Sequence, residues 1–262
     1  MTKFVLQALA MIFMVCDHLS ASLLPGPLWL SWVGRLAFPI FAFLLTEGYF
    51  HTTNFKGYVK RMFLFALLSE IPMNLLYGGT VIYPFHQNVL WLFLVGLFYM
   101  KGLDRILSMK GREDTSRTLC VLGTVGKLML AAGLTIFLFL FCSLTMMDYY
   151  GFGILMILVF YAGTRLRETK IRGRKIPAVL VMAGQLAAMY YINVEMIMGE
   201  IRVIQCFGRS FDIPVQGLAL LSLPLIWTYH GTLGYHSRWW KWFCYAFYPV
   251  HMLVLAVLWL AW

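Results

Sequence analysis

Long apolar stretches run through almost the whole chain, and they limit its fold more than any other feature. Nine stretches of about 22 mostly apolar residues fit into it, and a helix that spans a bilayer needs about 20 such residues. Hydrophobic residues fill 61% of the 262 positions and charged residues 12%, against roughly 45–50% and 25% in soluble domains. The sequence therefore predicts an all-α integral membrane protein, a single polytopic membrane domain over 1–262, and excludes a soluble globular fold.

Charged and turn residues interrupt these stretches and set the predicted boundaries. The predicted membrane spans cover 4–24, 29–50, 58–77, 83–103, 119–142, 150–166, 176–198, 211–229 and 239–261. The span at 176–198 has the weakest pattern, because Gln185, Asn193 and Glu195 dilute its apolar run.

The positions of the basic residues predict how the chain is oriented, because cytoplasmic loops collect Lys and Arg. With the N-terminus inside, the outside loops hold only Arg202 and Arg209, and nearly all other basic residues face the cytoplasm. We therefore expect a cytoplasmic N-terminus and an outside C-terminus in a bacterial inner (cell) membrane. The net charge of +10 is then an orientation signal toward anionic lipid, and no nucleic-acid partner is expected.

A cleaved signal peptide is the alternative interpretation of the first stretch. Lys3, the apolar run after it and Ser20-Ala21-Ser22 resemble the three regions of such a peptide. Asp17 and His18 would be unusual so close to a cleavage site, which favours an uncleaved first span. The five cysteines are scattered without CxxC spacing, so neither a metal site nor a disulfide framework is expected.

Several ionisable residues lie inside the predicted spans, where a charged side chain costs about 2.5–3.5 kcal/mol or more and usually marks a functional site. At 1.5 Å of rise per residue, these residues share the middle and outer depth of the membrane. They are Asp17, His18, Arg35, Glu70, His86 and His251. The sequence therefore predicts one buried polar site built from several helices.

Helix geometry limits how these residues pair. Asp17 and His18 are consecutive and point about 100° apart, so they do not form a dyad. Arg35 needs a carboxylate on another helix, and Asp17 and Glu70 are the candidates. Structural roles remain open for some of them: Arg35 in a buried ion pair, His86 at a helix cap, and His251 in an aromatic core.

Ordered motifs in the first 100 residues resemble the TraX family of membrane proteins. The motifs are Met14-Val15-Cys16-Asp17-His18, Gly34-Arg35-Leu36-Ala37-Phe38-Pro39, Glu47-Gly48, Leu68-Ser69-Glu70-Ile71-Pro72, Phe85-His86-Gln87-Asn88-Val89 and, near the C-terminus, Tyr248-Pro249-Val250-His251. The middle third, 101–230, carries no motif of this kind.

The resemblance implies an activity. Name-giving members of that family are associated with N-terminal acetylation of conjugative pilin, and the family is similar to the wider transmembrane acyltransferases. Those enzymes pass an acyl group from cytoplasmic acyl-coenzyme A to an acceptor at or beyond the membrane. By this resemblance His18 matches their catalytic histidine, and Lys60 and Arg61 match the basic residues that bind the phosphates of the coenzyme.

Taken together, these patterns predict an acetyl-CoA-dependent N- or O-acetyltransferase with acetyl-CoA as co-substrate and no metal. We expect His18 to be the general base, because its ordinary pKa of about 6.5 suits proton transfer near neutral pH. We expect Glu70 to orient it and Asp17 and Arg35 to form a charge pair. The predicted active-site lining is His86, Asn88, His251 and Tyr248.

Several points stay open from the sequence. The acceptor is an amine or a hydroxyl on a peptide, glycan or lipid. A proton-coupled secondary transporter is the main rival, because membrane-embedded Asp, Glu and His also serve proton relays. The chain shows no internal symmetry of the kind that transporters have. A structural or assembly factor is the third interpretation, although buried charges are costly for a passive scaffold.

Overall fold

The computed structural model describes residues 1–24, 26–109, 117–171, 173–197, 199–206 and 209–261. Its helices are α1 Lys3–Ser22, α2 Leu28–Gly34, α3 Ala37–His51, α4 Phe55–Gly78, α5 Val89–Leu107, α6 Arg117–Leu144, α7 Tyr150–Glu168, α8 Ala178–Tyr190, α9 Ser222–Trp227 and α10 Arg238–Ala261. A π-helix, Tyr191–Met196, continues α8, and a 3₁₀-helix, Val215–Leu221, leads into α9. Two short antiparallel hairpins complete the described chain: β1 Lys170–Ile171 with β2 Arg174–Lys175, and β3 Ile201–Cys206 with β4 Arg209–Pro214.

The predicted all-α class is confirmed, and each predicted span corresponds to helical structure. Among the described residues, five helical segments are long and apolar enough to cross a membrane. They are Lys3–Ser22, Leu28–His51, Val121–Leu144, Ala178–Met196 and Arg238–Ala261. The protein is therefore a multi-pass membrane protein, while nine spans and a cytoplasmic N-terminus stay predictions.

The second predicted span, 29–50, agrees with the helical segment Leu28–His51, which is interrupted between α2 and α3. Near this interruption Pro39 lacks the N–H that would bond to the carbonyl of Arg35. Two other predicted boundaries were wrong for local reasons. The fourth begins at Val89 rather than at 83, because the side chain of Asn88 accepts a hydrogen bond from the Leu90 N–H, 3.1 Å. The eighth starts as strand β4 rather than as a helix.

Contacts between loops agree with the predicted alternation of the chain between two ends of the bundle. At one end, the N-terminal segment lies against the loop after α9: the N–H of Lys3 donates to Thr232 O, 2.9 Å, and that of Phe4 to Leu233 O, 3.1 Å. At the other end, Gln87 pairs with Met147 in a parallel bridge. Loops predicted on the same side of the membrane therefore meet.

A carboxylate at the N-terminal end of the bundle ties three helices together. Asp104 of α5 accepts hydrogen bonds from the hydroxyls of Tyr49 and Tyr161 and forms an ion pair with Arg165. These partners lie on α3 and α7. The sequence did not identify Asp104, because a charge just beyond a span looks like an ordinary loop residue.

The packed core lies between α3, α5 and α7. Its fully buried side chains include Ile40, Leu97, Tyr99, Ile157 and Phe160. Almost none of the apolar part of α6 is buried inside the protein, so this helix presents most of its surface to lipid.

Candidate functional site

A cavity of about 860 Å³ runs between α1, α3, α4 and α10. Along α1 its lining recurs every three or four residues, which places those side chains on one face of the helix. They are Lys3, Gln7, Met11, Met14 and His18. The 15 residue-to-residue steps from Lys3 to His18 correspond to about 22 Å of helix. The cavity therefore joins the N-terminal end of the bundle to the depth of His18.

Three cations line the cavity at the N-terminal end of the bundle, which we call the basic mouth: Lys3, Arg61 and Lys241. The Nε of Arg61 donates to the hydroxyl of Tyr245, 3.4 Å. Glu47 lines the same end and accepts a hydrogen bond from Tyr229, 3.1 Å. One carboxylate among three cations leaves the mouth positively charged, which favours an anionic ligand.

Lys60 does not share this mouth, contrary to the prediction for the pair Lys60 and Arg61. It lines a separate hollow with Phe63 and Phe98, and Arg61 alone of the two lines the cavity. Consecutive helix residues point about 100° apart, and this rotation turns Lys60 toward a different surface of α4 from Arg61.

His18 lies near the far end of the cavity and contacts a second histidine. Its Nδ1 lies 2.8 Å from Nε2 of His251, and the two buried rings are nearly parallel, at 6°. His251 Nδ1 lies 2.7 Å from the carbonyl oxygen of Phe247. The cavity is lined by His18 and not by His251. The ring edge of His18 that carries Nδ1 is therefore turned toward α10.

Glu70 does not orient His18, and that prediction is wrong. Its carboxylate accepts hydrogen bonds from Asn88 Nδ2 and from Trp91 Nε1, the latter at 2.6 Å. These bonds tie α4 to the start of α5. Glu70 is held there because two donors converge on it from α5, and the position next to His18 is taken by His251.

The predicted lining is corrected in the same way. Asn88 also donates to Ala66 O, 2.9 Å, so its amide is fully engaged outside the cavity. His86 packs against the ring of Tyr77, with 5.4 Å between centroids. Of the four predicted lining residues, only Tyr248 lines the cavity, with its ring 6.1 Å from that of His18 and at 70° to it.

Arg35 pairs with Asp17, with 3.8 Å between Nη2 and Oδ1. Asp17 lines the cavity beside His18, and Gly34 lies directly against Asp17. A Cβ at Gly34 would lie 2.7 Å from the Cα of Asp17. The glycine therefore allows α1 and α2 to approach at the position where the ion pair forms.

Asp148 and Tyr149 also line this end of the cavity, and sequence reasoning missed both. They lie in the loop between α6 and α7, where Met146, Tyr149 and Tyr150 have positive φ angles of 52°, 60° and 48°. Such angles are uncommon for residues with a Cβ. The N–H of Asp148 donates to Gln87 O, 3.0 Å, and holds the loop in place. The only signal in the sequence was an acidic residue directly after an apolar run.

The loop places Asp148 among other charged groups. Burial is the largest influence on its carboxyl and raises the pKa, nearby Asp17 also raises it, and His86 and Arg35 lower it. The net effect is a pKa of about 6 instead of 3.8. Two carboxylates, Asp17 and Asp148, thus line the cavity together with His18.

This shift predicts a pH-dependent stability. A carboxyl whose pKa is raised by folding favours the folded state below its ordinary pKa, and that contribution is lost as the pH rises through the folded value. We expect the apparent melting temperature of the wild type, relative to Asp148→Asn, to fall between pH 4 and 7. Thermal melts in detergent measure it, with the exposed Asp212→Asn as control. A difference that is constant with pH would contradict the assignment.

Comparison with known proteins agrees with the motifs near His18. The family model described as TraX protein matches residues 3–259. A protein of Dichelobacter nodosus, "Probable fimbrial assembly protein FimC, serogroup H1", is 34% identical over 73 residues, 26% of this chain and 30% of that relative. The chain thus matches less than a third of the relative's length. No solved structure matches the chain. Because the family model covers nearly the whole chain, the protein belongs to the TraX family.

Proposed function

We propose that the protein is a membrane-embedded acyltransferase that moves an acetyl (acyl) group from cytoplasmic acyl-coenzyme A to an acceptor at the outer side of the membrane. The observation that carries the proposal is the cavity, which joins a basic mouth to a buried histidine about 22 Å along α1. A scaffold has no need of such a cavity.

Successive regions of the cavity match successive parts of acyl-coenzyme A: the phosphates, the pantetheine arm and the thioester. Its mouth offers Lys3, Arg61 and Lys241 to phosphates, and charge-assisted hydrogen bonds to phosphate are among the strongest in proteins. Its middle is lined by apolar side chains such as Met11, Met14 and Leu45, which suit a slender pantetheine arm. The thioester would then lie close to His18.

His18 would act as general base at that point. The acceptor's nitrogen or oxygen attacks the thioester carbonyl carbon and gives its proton to His18, and the new C–N or C–O bond forms. The C–S bond then breaks, and coenzyme A leaves as the thiol with the proton that His18 returns. Every atom and proton is accounted for without a metal.

The far end of the cavity favours an amine over a hydroxyl. Asp17 and Asp148 both line it, and carboxylates attract a protonated amine as it enters. The ammonium group first gives one proton to a carboxylate there, which passes it to solvent, and the neutral amine then attacks the thioester. The name of the relative refers to fimbrial assembly, so a pilus subunit is one candidate among peptide acceptors. Glycans and lipids with an amino group suit the same chemistry.

The rival function is a proton-coupled secondary transporter, because Asp17, His18 and Asp148 line one cavity and titratable groups in a row suit a proton relay. The two functions differ at His18. A transporter without this histidine still binds and exchanges its substrate in some protonation state, whereas the enzyme loses turnover and keeps its donor.

Binding of acetyl-CoA to the purified protein in detergent, measured by calorimetry, tests the proposal without knowledge of the acceptor. We expect saturable binding that Arg61→Ala and Lys241→Ala each weaken by about 10- to 100-fold, since a hydrogen bond to a charged group contributes about 1.5–3 kcal/mol. Lys60→Ala is the matched control, because this neighbouring cation points away from the cavity.

Comparing Lys60→Ala with Arg61→Ala shows whether the loss of acetyl-CoA affinity is specific to the basic mouth. Equal losses from Lys60→Ala and Arg61→Ala would indicate attraction by overall charge and contradict the assigned mouth. If folded wild-type protein does not bind acetyl-CoA or coenzyme A, the acyltransferase proposal fails and the transporter becomes the better explanation.

A further inference from the structure

We propose that His251 is a positioning residue that holds His18 in the tautomer whose unprotonated Nε2 faces the cavity. The inference rests on the proposed function for its consequence in catalysis, and on the hydrogen-bond geometry for the tautomer itself. His251 does not line the cavity, so it acts through His18 and not on the substrate.

The chain of hydrogen bonds has a fixed direction at its starting point. A carbonyl oxygen only accepts, so the bond of 2.7 Å between His251 and Phe247 O requires a hydrogen on Nδ1 of His251. A neutral His251 then has a lone pair on Nε2. That nitrogen lies 2.8 Å from Nδ1 of His18 and accepts its hydrogen. The remaining nitrogen of His18, Nε2, carries the lone pair.

If His251 carried hydrogens on both ring nitrogens, its Nε2 would donate to Nδ1 of His18 instead of accepting from it. The surroundings of His251 oppose the positive charge of that form. Its ring is buried, stacks on Phe247 at 5.1 Å between centroids and lies beside the ring of Tyr248. The ionisable groups at this end of the molecule are Asp17, Arg35, Asp148 and His86, and they interact with one another. The groups that contact His251 directly are the rings of Phe247 and Tyr248, His18 and the helix backbone. An uncompensated charge in such surroundings is costly.

The tautomer matters because the two forms of His18 do opposite things at the cavity. With Nε2 unprotonated, His18 accepts the acceptor's proton. With the hydrogen on Nε2, the more populated form of a free imidazole, the same ring offers only a donor. When Nε2 takes the proton, His251 still accepts the Nδ1–H and stabilises the new cation, as orienting partners of catalytic histidines do.

The sequence context explains why α10 can supply this partner. Cys244, Tyr248 and His251 lie on one face at helical spacing, and Cys244 and Tyr248 line the cavity while His251 meets α1 behind it. α10 therefore contributes side chains to the cavity wall and also the histidine that contacts His18. Within this helix Pro249 has no N–H, so the carbonyl of Tyr245 lacks its usual helix donor.

Nitrogen NMR of histidine-labelled protein in bilayers tests the tautomer directly, because the chain has only six histidines. We expect wild-type His18 to carry its hydrogen on Nδ1. In His251→Phe, which has no acceptor, we expect Nε2–H to appear, and in His251→Gln, which keeps an acceptor at that reach, the wild-type form to persist. His230→Phe is the control, because this exposed histidine does not line the cavity.

Turnover is measured on the same samples. Loss of an orienting partner typically costs about 10- to 100-fold in activity, and we expect this loss in kcat for His251→Phe, with unchanged acetyl-CoA affinity and substantial rescue by His251→Gln. Equal kcat for the Phe and Gln variants would overturn the positioning role.

Two results distinguish a failure of the tautomer inference from a failure of the proposed acyltransferase function. Wild-type His18 with its hydrogen on Nε2 overturns the inference even if acetyl-CoA binds and reacts, and the wild-type spectrum decides this whether or not the Phe variant folds. The expected tautomer in a protein that neither binds nor consumes acetyl-CoA overturns the proposed function, and with it the catalytic role of His251.

Discussion

Replacing His18 by alanine is expected to lower the turnover of acetyl transfer by about 10²- to 10⁴-fold, the usual contribution of a general base. The reason is its place in the structure: His18 lines the cavity near its far end, and the carboxylates Asp17 and Asp148 line the same cavity. The basic mouth lies about 22 Å away along α1. Affinity for acetyl-CoA should therefore remain unchanged.

The measurement is release of free coenzyme A thiol by reconstituted protein with a pool of amine-bearing peptides as acceptors, together with calorimetric binding of acetyl-CoA. His230→Ala, at an exposed position, controls for loss of a histidine as such. Wild-type turnover in His18→Ala would remove the assignment of the base. Loss of binding and turnover together would place the donor, rather than the proton transfer, at His18.

Gly34→Ala is expected to destabilise the protein and to lower turnover at the same time. The added Cβ would lie 2.5 Å from the Cβ and Oδ1 of Asp17 and 2.7 Å from its Cα. Because backbone cannot rotate away as a side-chain end does, α1 and α2 must separate. Overpacking of this kind costs about 1–3 kcal/mol, and it moves Asp17 and the adjacent His18.

Thermal melts in detergent and turnover of the same preparations check this prediction. The matched control is Gly133→Ala in α6, where an added Cβ meets no atom within 4 Å. Glycine is a poorer helix former than every other residue except proline. Alanine at this position should therefore leave the melting temperature unchanged or raise it. A Gly34→Ala protein as stable and active as the wild type would show that the close approach of α1 and α2 is not required.

The site is assembled from segments that are far apart in sequence, including the motifs that contain His18 and His251. α1 supplies the proposed base, α10 its support, and the loop after α6 an acidic residue at the far end. The loop takes three positive φ angles at residues with a Cβ, and strained backbone of this kind clusters at functional sites. Such strain persists only where surrounding contacts hold it, here the bonds to Gln87.

The corrected residues share one physical cause. Glu70 and Asn88 were expected at the site because buried polar groups in spans often mark one, but the two satisfy each other between α4 and α5. Lys60 was expected beside Arg61, yet helix rotation turns it to another surface. Sequence spacing identifies which residues are costly to bury; it does not say which of them meet.

The sequence by itself determined the all-α membrane class of the protein and most of its helical segments, because hydropathy and charge act over local windows. Only the tertiary structure decided that His251 and not Glu70 supports His18, that Arg61, Lys3 and Lys241 share a mouth, and that Asp148 joins the site. These contacts depend on how the helices are rotated and how closely they approach. Those quantities are set by packing between segments up to 233 residues apart, which no local pattern encodes.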